Sequence, residues 1–301
     1  MKLSQISRTV RETNIPKPQS ILVYGESFTG KSQLVAEQLA PAFNVLWLDL
    51  ENGLQTLLKL PIELQDKITY IRIPDTATNP QAVKTVGTLF SSKTALPVCY
   101  AHGKVNCQDA ACKAADGHYV FDAKLIDSTW VVVVDSLTQL SDSSMALVNP
   151  QANVFVKGEV VKAGYDEYGG QGSLLINILS HMQQAPFHRV FIGHADEVIE
   201  ETGGKKIYPV CGTRALSARV PRFFDHVVFA YRKNNQHGVA SSTTYQHNIM
   251  AGSRSDIDMG SGATLVDLLL CRKPVAVNDN SAATGKAVAT ALGGKLGGLR
   301  K

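Results

Sequence analysis

Residues 25–32 read GESFTGKS, two glycines separated by four residues and followed by lysine and serine. This spacing suits a loop whose backbone N–H groups turn inward on a phosphate chain. Lys31 would reach the outer phosphates and Ser32 would offer its hydroxyl to Mg²⁺. Gly25, Glu26, Ser27, Phe28, Thr29, Gly30, Lys31 and Ser32 are together the expected nucleotide cradle. The apolar run VVVVD ends at Asp135, and an acid at a strand end beside such a loop holds the Mg²⁺ shell. The alternative is an acid that starts a turn. Ser136 follows, where many ATPases place the glutamate that activates water, so a base must come from elsewhere. WLDLENG supplies Asp49 and Glu51, spaced by two and on one face if the strand continues. Glu51 is the expected general base for attack on the γ-phosphate, against the alternative of a loop acid capping a turn. His194 ends HRVFIGH, where it would sense the γ-phosphate or serve only structure. Arg254, in MAGSRSD, is a candidate for stabilising transition-state charge in a neighbouring subunit's site, against the alternative of a surface arginine.

The elements that must position these residues are legible as apolar runs. ILVYG (21–25), NVLWLDL (44–50), KITYIRI (67–73), WVVVVDS (130–136), HRVFIGH (188–194) and DHVVFAYR (225–232) read as strands, and YQHNIMAGSR (245–254) as a weaker one. KSQLVAEQLAPAF, residues 79–92 and residues 172–184 carry helical spacing. Apolar strands alternating with helices predict a mainly parallel sheet covered on both faces. Two stretches break the pattern. Residues 97–123 are polar and hold three of the five cysteines; residues 274–301 are rich in Gly, Ala and Lys and read as a disordered tail with a transient helix near Lys286–Leu292. The net charge is +4, but Arg272–Lys301 carries +5, leaving −1 for the remainder. A nucleic-acid surface must then be a local patch plus the tail. No run of about 18 apolar residues and no secretory h-region occur, which predicts a cytoplasmic protein without a membrane span.

GESFTGKS, WLDLENG, VVVVDSLTQL, VFIGHADE and MAGSRSD, spread over residues 20–272, together resemble the RecA and RadA recombinases. The similarity is greatest to the short phage-encoded RecA-core ATPases of the Sak single-strand-annealing group. The resemblance implies a RecA-like P-loop NTPase core over residues 1–272, with the 97–123 insert within it and a flexible basic tail over 273–301. It implies ATP and Mg²⁺ as cofactors, Glu51 as the water-activating acid, and His194 as the link between γ-phosphate and DNA. In these families a late Lys-x-Arg pair reaches across the subunit interface; here it reads Gly252-Ser253-Arg254, without the lysine. Single-stranded DNA is the implied partner, on a homo-oligomer or filament in the host cytoplasm, with a single-strand-binding protein as a further candidate. The implied DNA loops follow the Asp135 and His194 strands. The second, residues 202–224, holds Lys205, Lys206, Arg214, Arg219 and Arg222 to neutralise phosphates and Tyr208 to stack on a base; a solvated basic hairpin is the alternative.

Cys99, His102, Cys107 and Cys112 have the spacing C-x2-H-x4-C-x4-C, with His118 nearby. Three thiolates and an imidazole would suit tetrahedral Zn²⁺ and would order an insert too polar to form a core. Reduced, unliganded cysteines are the equal alternative. Two other functions share the phosphate loop. A small-molecule or nucleotide kinase would use the basic 202–224 segment as a lid, and a nucleotide-dependent scaffold or helicase loader would hydrolyse weakly and depend on a protein partner.

Overall fold

The computed structural model describes residues 17–114, 118–122, 124–150, 162–199, 204–241 and 249–273. The expected tail beyond Lys273, and the middle of the segment after the Asp135 strand, lie outside the described residues.

The apolar runs form the strands β1 (Ser20–Gly25), β2 (Asn44–Asp49), β3 (Ile68–Arg72), β4 (Leu96–Cys99), β5 (His118–Phe121), β6 (Trp130–Asp135), β7 (His188–Ile199), β8 (Lys205–Pro209), β9 (His226–Lys233), β10 (Gln236–Ala240) and β11 (Gly252–Ser253). The main sheet runs β10-β9-β1-β7-β6-β2-β3, with β8 paired to β7 and β11 to β9. The pairings from β9 through β3 are parallel, while β10, β11 and β8 join antiparallel. The helices are α1 (Lys31–Leu39), α2 (Leu54–Leu57), α3 (Ile62–Gln65), α4 (Gln81–Ser91), α5 (Ala110–Ala114), α6 (Leu137–Val148), α7 (Tyr165–Met182), α8 (Arg214–Ser217) and α9 (Leu265–Leu269).

Side chains alternate across a strand, so a continuous apolar run feeds two cores. Leu22 and Tyr24 of β1, Leu46 and Leu48 of β2, and Val132 and Val134 of β6 face one core, closed by α4, α6 and α7. Ile21, Val23, Val45, Trp47, Val131 and Val133 face the other, with Val35 and Leu39 of α1 and Leu265 and Leu268 of α9.

Four expectations change. Helix α7 begins at Tyr165, not near 172, because Gly169, Gly170 and Gly172 hide its first turns from a propensity reading. β7 runs five residues past His194 to pair with β8, so the first part of the basic 202–224 segment is a hairpin arm. The weak strand at 245–254 reduces, among the described residues, to Gly252–Ser253 and an Ile207–Ile249 bridge. The 97–123 insert is not coreless, since Val98 and Phe121, with Leu96 just before it, enter the same core as α4. Their polar neighbours mask them in sequence.

Candidate nucleotide and catalytic site

Register decides which strand ends meet. β7 lies between β1 and β6. Gly25 pairs with His194, Asp135 with Ile192, and Asp49 with Asp135. The carboxyl ends of four strands thus converge on one edge, where ligands bind in open parallel sheets.

β1 delivers the chain to Gly25, where a Cβ would stand 2.0 Å from the Ala230 carbonyl oxygen of β9. Only glycine fits so close an approach. Gly30 closes the loop at φ 80° and precedes α1, a left-handed conformation that favours glycine. The Thr29 hydroxyl donates to the Glu26 carbonyl (2.8 Å) and a His237 ring nitrogen lies 2.9 Å from the Thr29 carbonyl. Lys31 is 7% exposed and folds back, donating to the carbonyls of Gly25 (3.0 Å) and Glu26 (2.6 Å). Burial pulls its ammonium below the usual lysine range, against the opposing charges of Asp135, Glu51 and Glu26. Phe28, at φ 63°, is 89% exposed at the mouth of the loop.

The Ser32 hydroxyl donates to Asp135 Oδ2 at 2.9 Å. Burial pushes the Asp135 carboxyl up to about 7, with the Ser32 hydrogen bond opposing it. These hard oxygen donors, at the start of a helix and the end of a strand, fit Mg²⁺. The Asp135–Ser136 peptide is cis.

Glu51 reaches across from β2. One carboxylate oxygen accepts from the Ser136 hydroxyl and the other lies 3.3 Å from His194 Nε2. Burial disfavours its charge, yet the hydrogen bonds from His194 and Ser136 and the charges of His194 and Lys31 outweigh burial and hold it below the ordinary carboxylate range. His194 Nδ1 is 3.3 Å from the Ser27 hydroxyl, so one imidazole spans the phosphate loop and Glu51. Asp49 departs from expectation. β2 ends there, and its buried carboxylate turns inward to accept from the Tyr70 hydroxyl (2.5 Å) and the Glu51 backbone N–H (3.0 Å). It fixes the start of the turn that carries Glu51, and it raises the Tyr70 phenol beyond what burial alone does.

A cavity of about 510 Å³ joins Lys31, Ser32, Glu51, Asp135 and His194. Lys59, Arg232 and His237 also line it, and sequence reasoning passed over all three. Arg232 carried a signal, a cation two residues beyond Ala230, which pairs with Gly25. Arg254 lies elsewhere. Its guanidinium donates to the Arg222 carbonyl (3.0 Å) and lies 3.6 Å from Asp225, whose carboxylate accepts from Ser20 at the start of β1. Arg254 therefore sits at the opposite end of β1 from the phosphate loop.

Of the basic residues in 204–224, Lys205 pairs with Glu197 at 2.7 Å. Arg214 and Arg219 are exposed, on α8 and just beyond it. Lys206 and Tyr208 of β8 share a groove of about 680 Å³ with Arg222 and Arg254, over a floor that includes Phe224, Val227 and Ile249. Arg222 also lies over the Phe223 ring at 4.8 Å. Cys99, His102, Cys107 and Cys112 come together with their ligand atoms within 4.8 Å of one another. His118 pairs with Cys99 across β4 and β5 and is not in the cluster.

The α/β core, the glycine-bounded loop and the Ser32–Asp135 pair define a P-loop ATPase. The match to the family model described as an AAA domain covers residues 17–255, and the chain belongs to that family. Among solved structures it is similar to one described as the crystal structure of the RadB recombinase, with 14% identity, a TM-score of 0.38, and coverage of 74% of this chain and 80% of that chain. No curated protein matches. No helix among the described residues is long and apolar enough to cross a membrane.

Proposed function

We propose that this chain is a RecA-type, Mg²⁺-dependent ATPase that binds single-stranded DNA and supports annealing or strand exchange, as in the phage-encoded Sak group. The carrying observation is Glu51, a carboxylate from β2 held against Ser136 and His194 beside the Asp135 strand end. In this reading, Ser32 and Asp135 hold Mg²⁺, which neutralises charge on the phosphates. Lys31 leaves the Gly25 and Glu26 carbonyls for the phosphate oxygens. Glu51 accepts a proton from water as the water oxygen bonds to the γ-phosphorus and the bond to the ADP oxygen breaks. His194, between Ser27 and Glu51, registers the γ-phosphate and passes its presence along β7 to the β7–β8 hairpin. The groove of Lys206, Tyr208 and Arg222 supports DNA binding, because cations beside an aromatic ring suit a strand of phosphates and bases. The working form is a homo-oligomer or filament, with a single-strand-binding protein as a further partner. Zinc at the Cys99–Cys112 cluster would take no step in this reaction.

The test is ATP turnover with and without single-stranded DNA. Turnover is expected to rise with DNA. Lys31→Ala should abolish it, and Glu51→Gln should bind nucleotide but turn over about 10²–10⁴-fold more slowly. Normal turnover by Glu51→Gln overturns the choice of base. A phosphorylated acceptor in place of free phosphate would mean a kinase.

A further inference from the structure

We infer that Cys99, His102, Cys107 and Cys112 form a structural zinc site that pins the 97–123 insert against the end of β3, next to the loop that carries Glu51. This inference does not rest on the DNA-binding reading. The three sulfurs lie 3.7, 3.8 and 3.4 Å from His102 Nδ1 for Cys99, Cys107 and Cys112. Tetrahedral zinc, with Zn–S about 2.3 Å and Zn–N about 2.0–2.1 Å, requires S···N edges of about 3.6 Å. All three contacts lie within about 0.2 Å of that length, and all on the same ring nitrogen. Cys99 and Cys112 sulfurs are 3.1 Å apart, and a metal between them would widen this edge to about 3.8 Å.

Burial gives the second argument. The three cysteines are 1%, 7% and 7% exposed and form a buried cluster of their own, separate from both apolar cores. Hydrophobic packing therefore does not account for their convergence. The chain is also shaped as a metal knuckle. Gly103, at φ 58°, follows His102 and donates its N–H to the Cys99 carbonyl at 2.8 Å, while Cys99 N–H donates to Lys104 at 3.0 Å. This turn folds two ligands three residues apart onto one point.

The knuckle bears on the catalytic domain at Gly103. A Cβ there would meet the Arg72 carbonyl oxygen at 2.6 Å and the Ile73 Cα at 2.7 Å. The Gly103 carbonyl accepts from Thr85 of α4 at 2.7 Å. Arg72 and Ile73, with Asp75, line a second cavity of about 390 Å³ that Glu51 also borders. The zinc thus anchors the insert against the end of β3 and α4, next to the loop that carries Glu51.

The full chain, expressed with zinc and purified anaerobically, is expected to hold about one zinc per chain. Replacement by Co²⁺ should give the intense visible bands of a tetrahedral thiolate site. Cys107→Ser and Cys112→Ser should lose the metal. His102→Cys should retain it with an altered cobalt spectrum, which guards against a variant that merely misfolds. Cys211→Ser, at a buried thiol outside the cluster, should stay loaded. Chelation should lower Tm by more than about 5 °C, because metal bound only by the folded chain stabilises it. Folded wild-type protein without zinc and without a tetrahedral cobalt spectrum overturns the inference. So does a Cys99–Cys112 disulfide in that anaerobic preparation.

Discussion

Two buried histidines tie this fold to pH. His188, at the start of β7, has Nδ1 accepting from the Gln19 backbone N–H at 3.0 Å. His226, at the start of β9, lies 2.9 Å from the Ser253 hydroxyl. Burial drives both imidazoles from 6.5 down to about 4; the neighbouring Arg189 charge adds to the shift at His188, and Asp225 opposes it at His226. Above 6.5 both folded and unfolded chains carry these rings neutral. Between 6.5 and 4 the unfolded chain takes up protons that the native chain refuses, so stability falls as pH falls through that window. The slope should approach about 1.4 kcal/mol per pH unit for each histidine. Asp135, raised to about 7, contributes the opposite slope over the same window, so urea midpoints are measured in Asp135→Asn; a flat profile in that variant would mean that neither ring is held neutral. The residues proposed for the site were more legible than these two. Lys31, Ser32 and Asp135 follow from motif and strand end, and Glu51 from the missing acid after Asp135. The inward turn of Asp49 and the Ser136 contact to Glu51 were not legible, because each depends on register between strands far apart in sequence. Alternation placed Asp49 beside Glu51 only for a strand that continues, and β2 stops.

At the scale of elements, the β7–β8 hairpin converts a basic segment into a surface. Antiparallel pairing sets Asp196 against Tyr208 and Val198 against Lys206. Lys206 and Tyr208 then face the groove that Arg222 enters from beyond α8. Alternation along β8 turns Lys205, one residue away, to the other face, where it pairs with Glu197. This separates cations that composition alone treats as equal. Replacing Lys206 and Arg222 together by alanine should weaken single-stranded DNA binding for all sequences alike. It should also flatten the plot of log affinity against log salt by about 1.4, at about 0.7 per cation. Lys205→Ala should change that slope little. An unchanged slope in the double variant would remove this groove from the DNA path. The central strands and α1 were readable because burial on both faces leaves an unbroken apolar run. β10 and the hairpin arm β8 were not, since their half-exposed, polar-rich sequences carry no such run.

At the scale of the whole molecule, the proposed catalytic set includes one residue, Arg254, that its own chain does not bring to the phosphate loop. Arg254 is anchored by Asp225 beside Ser20, five residues before Gly25 along β1. At about 3.3 Å per residue, some 17 Å of strand lies between them. If Arg254 acts on a transferring phosphoryl group, that group is bound by a neighbouring copy, through a head-to-tail contact of the kind that builds rings or filaments. Arg254→Ala should then lower turnover by about 10²–10³-fold, the usual cost of losing one transition-state charge donor. Loss of its contact to Asp225 would also slow a destabilised chain, so the single variant does not decide the matter. Mixing does. Lys31→Ala keeps Arg254 but has no working phosphate loop, and Arg254→Ala keeps the loop. Random mixing of the two at equal amounts pairs an intact loop with an intact arginine at about a quarter of head-to-tail interfaces, so about a quarter of wild-type turnover should return. Turnover no greater than the two variants give separately would confine Arg254 to holding the base of β1.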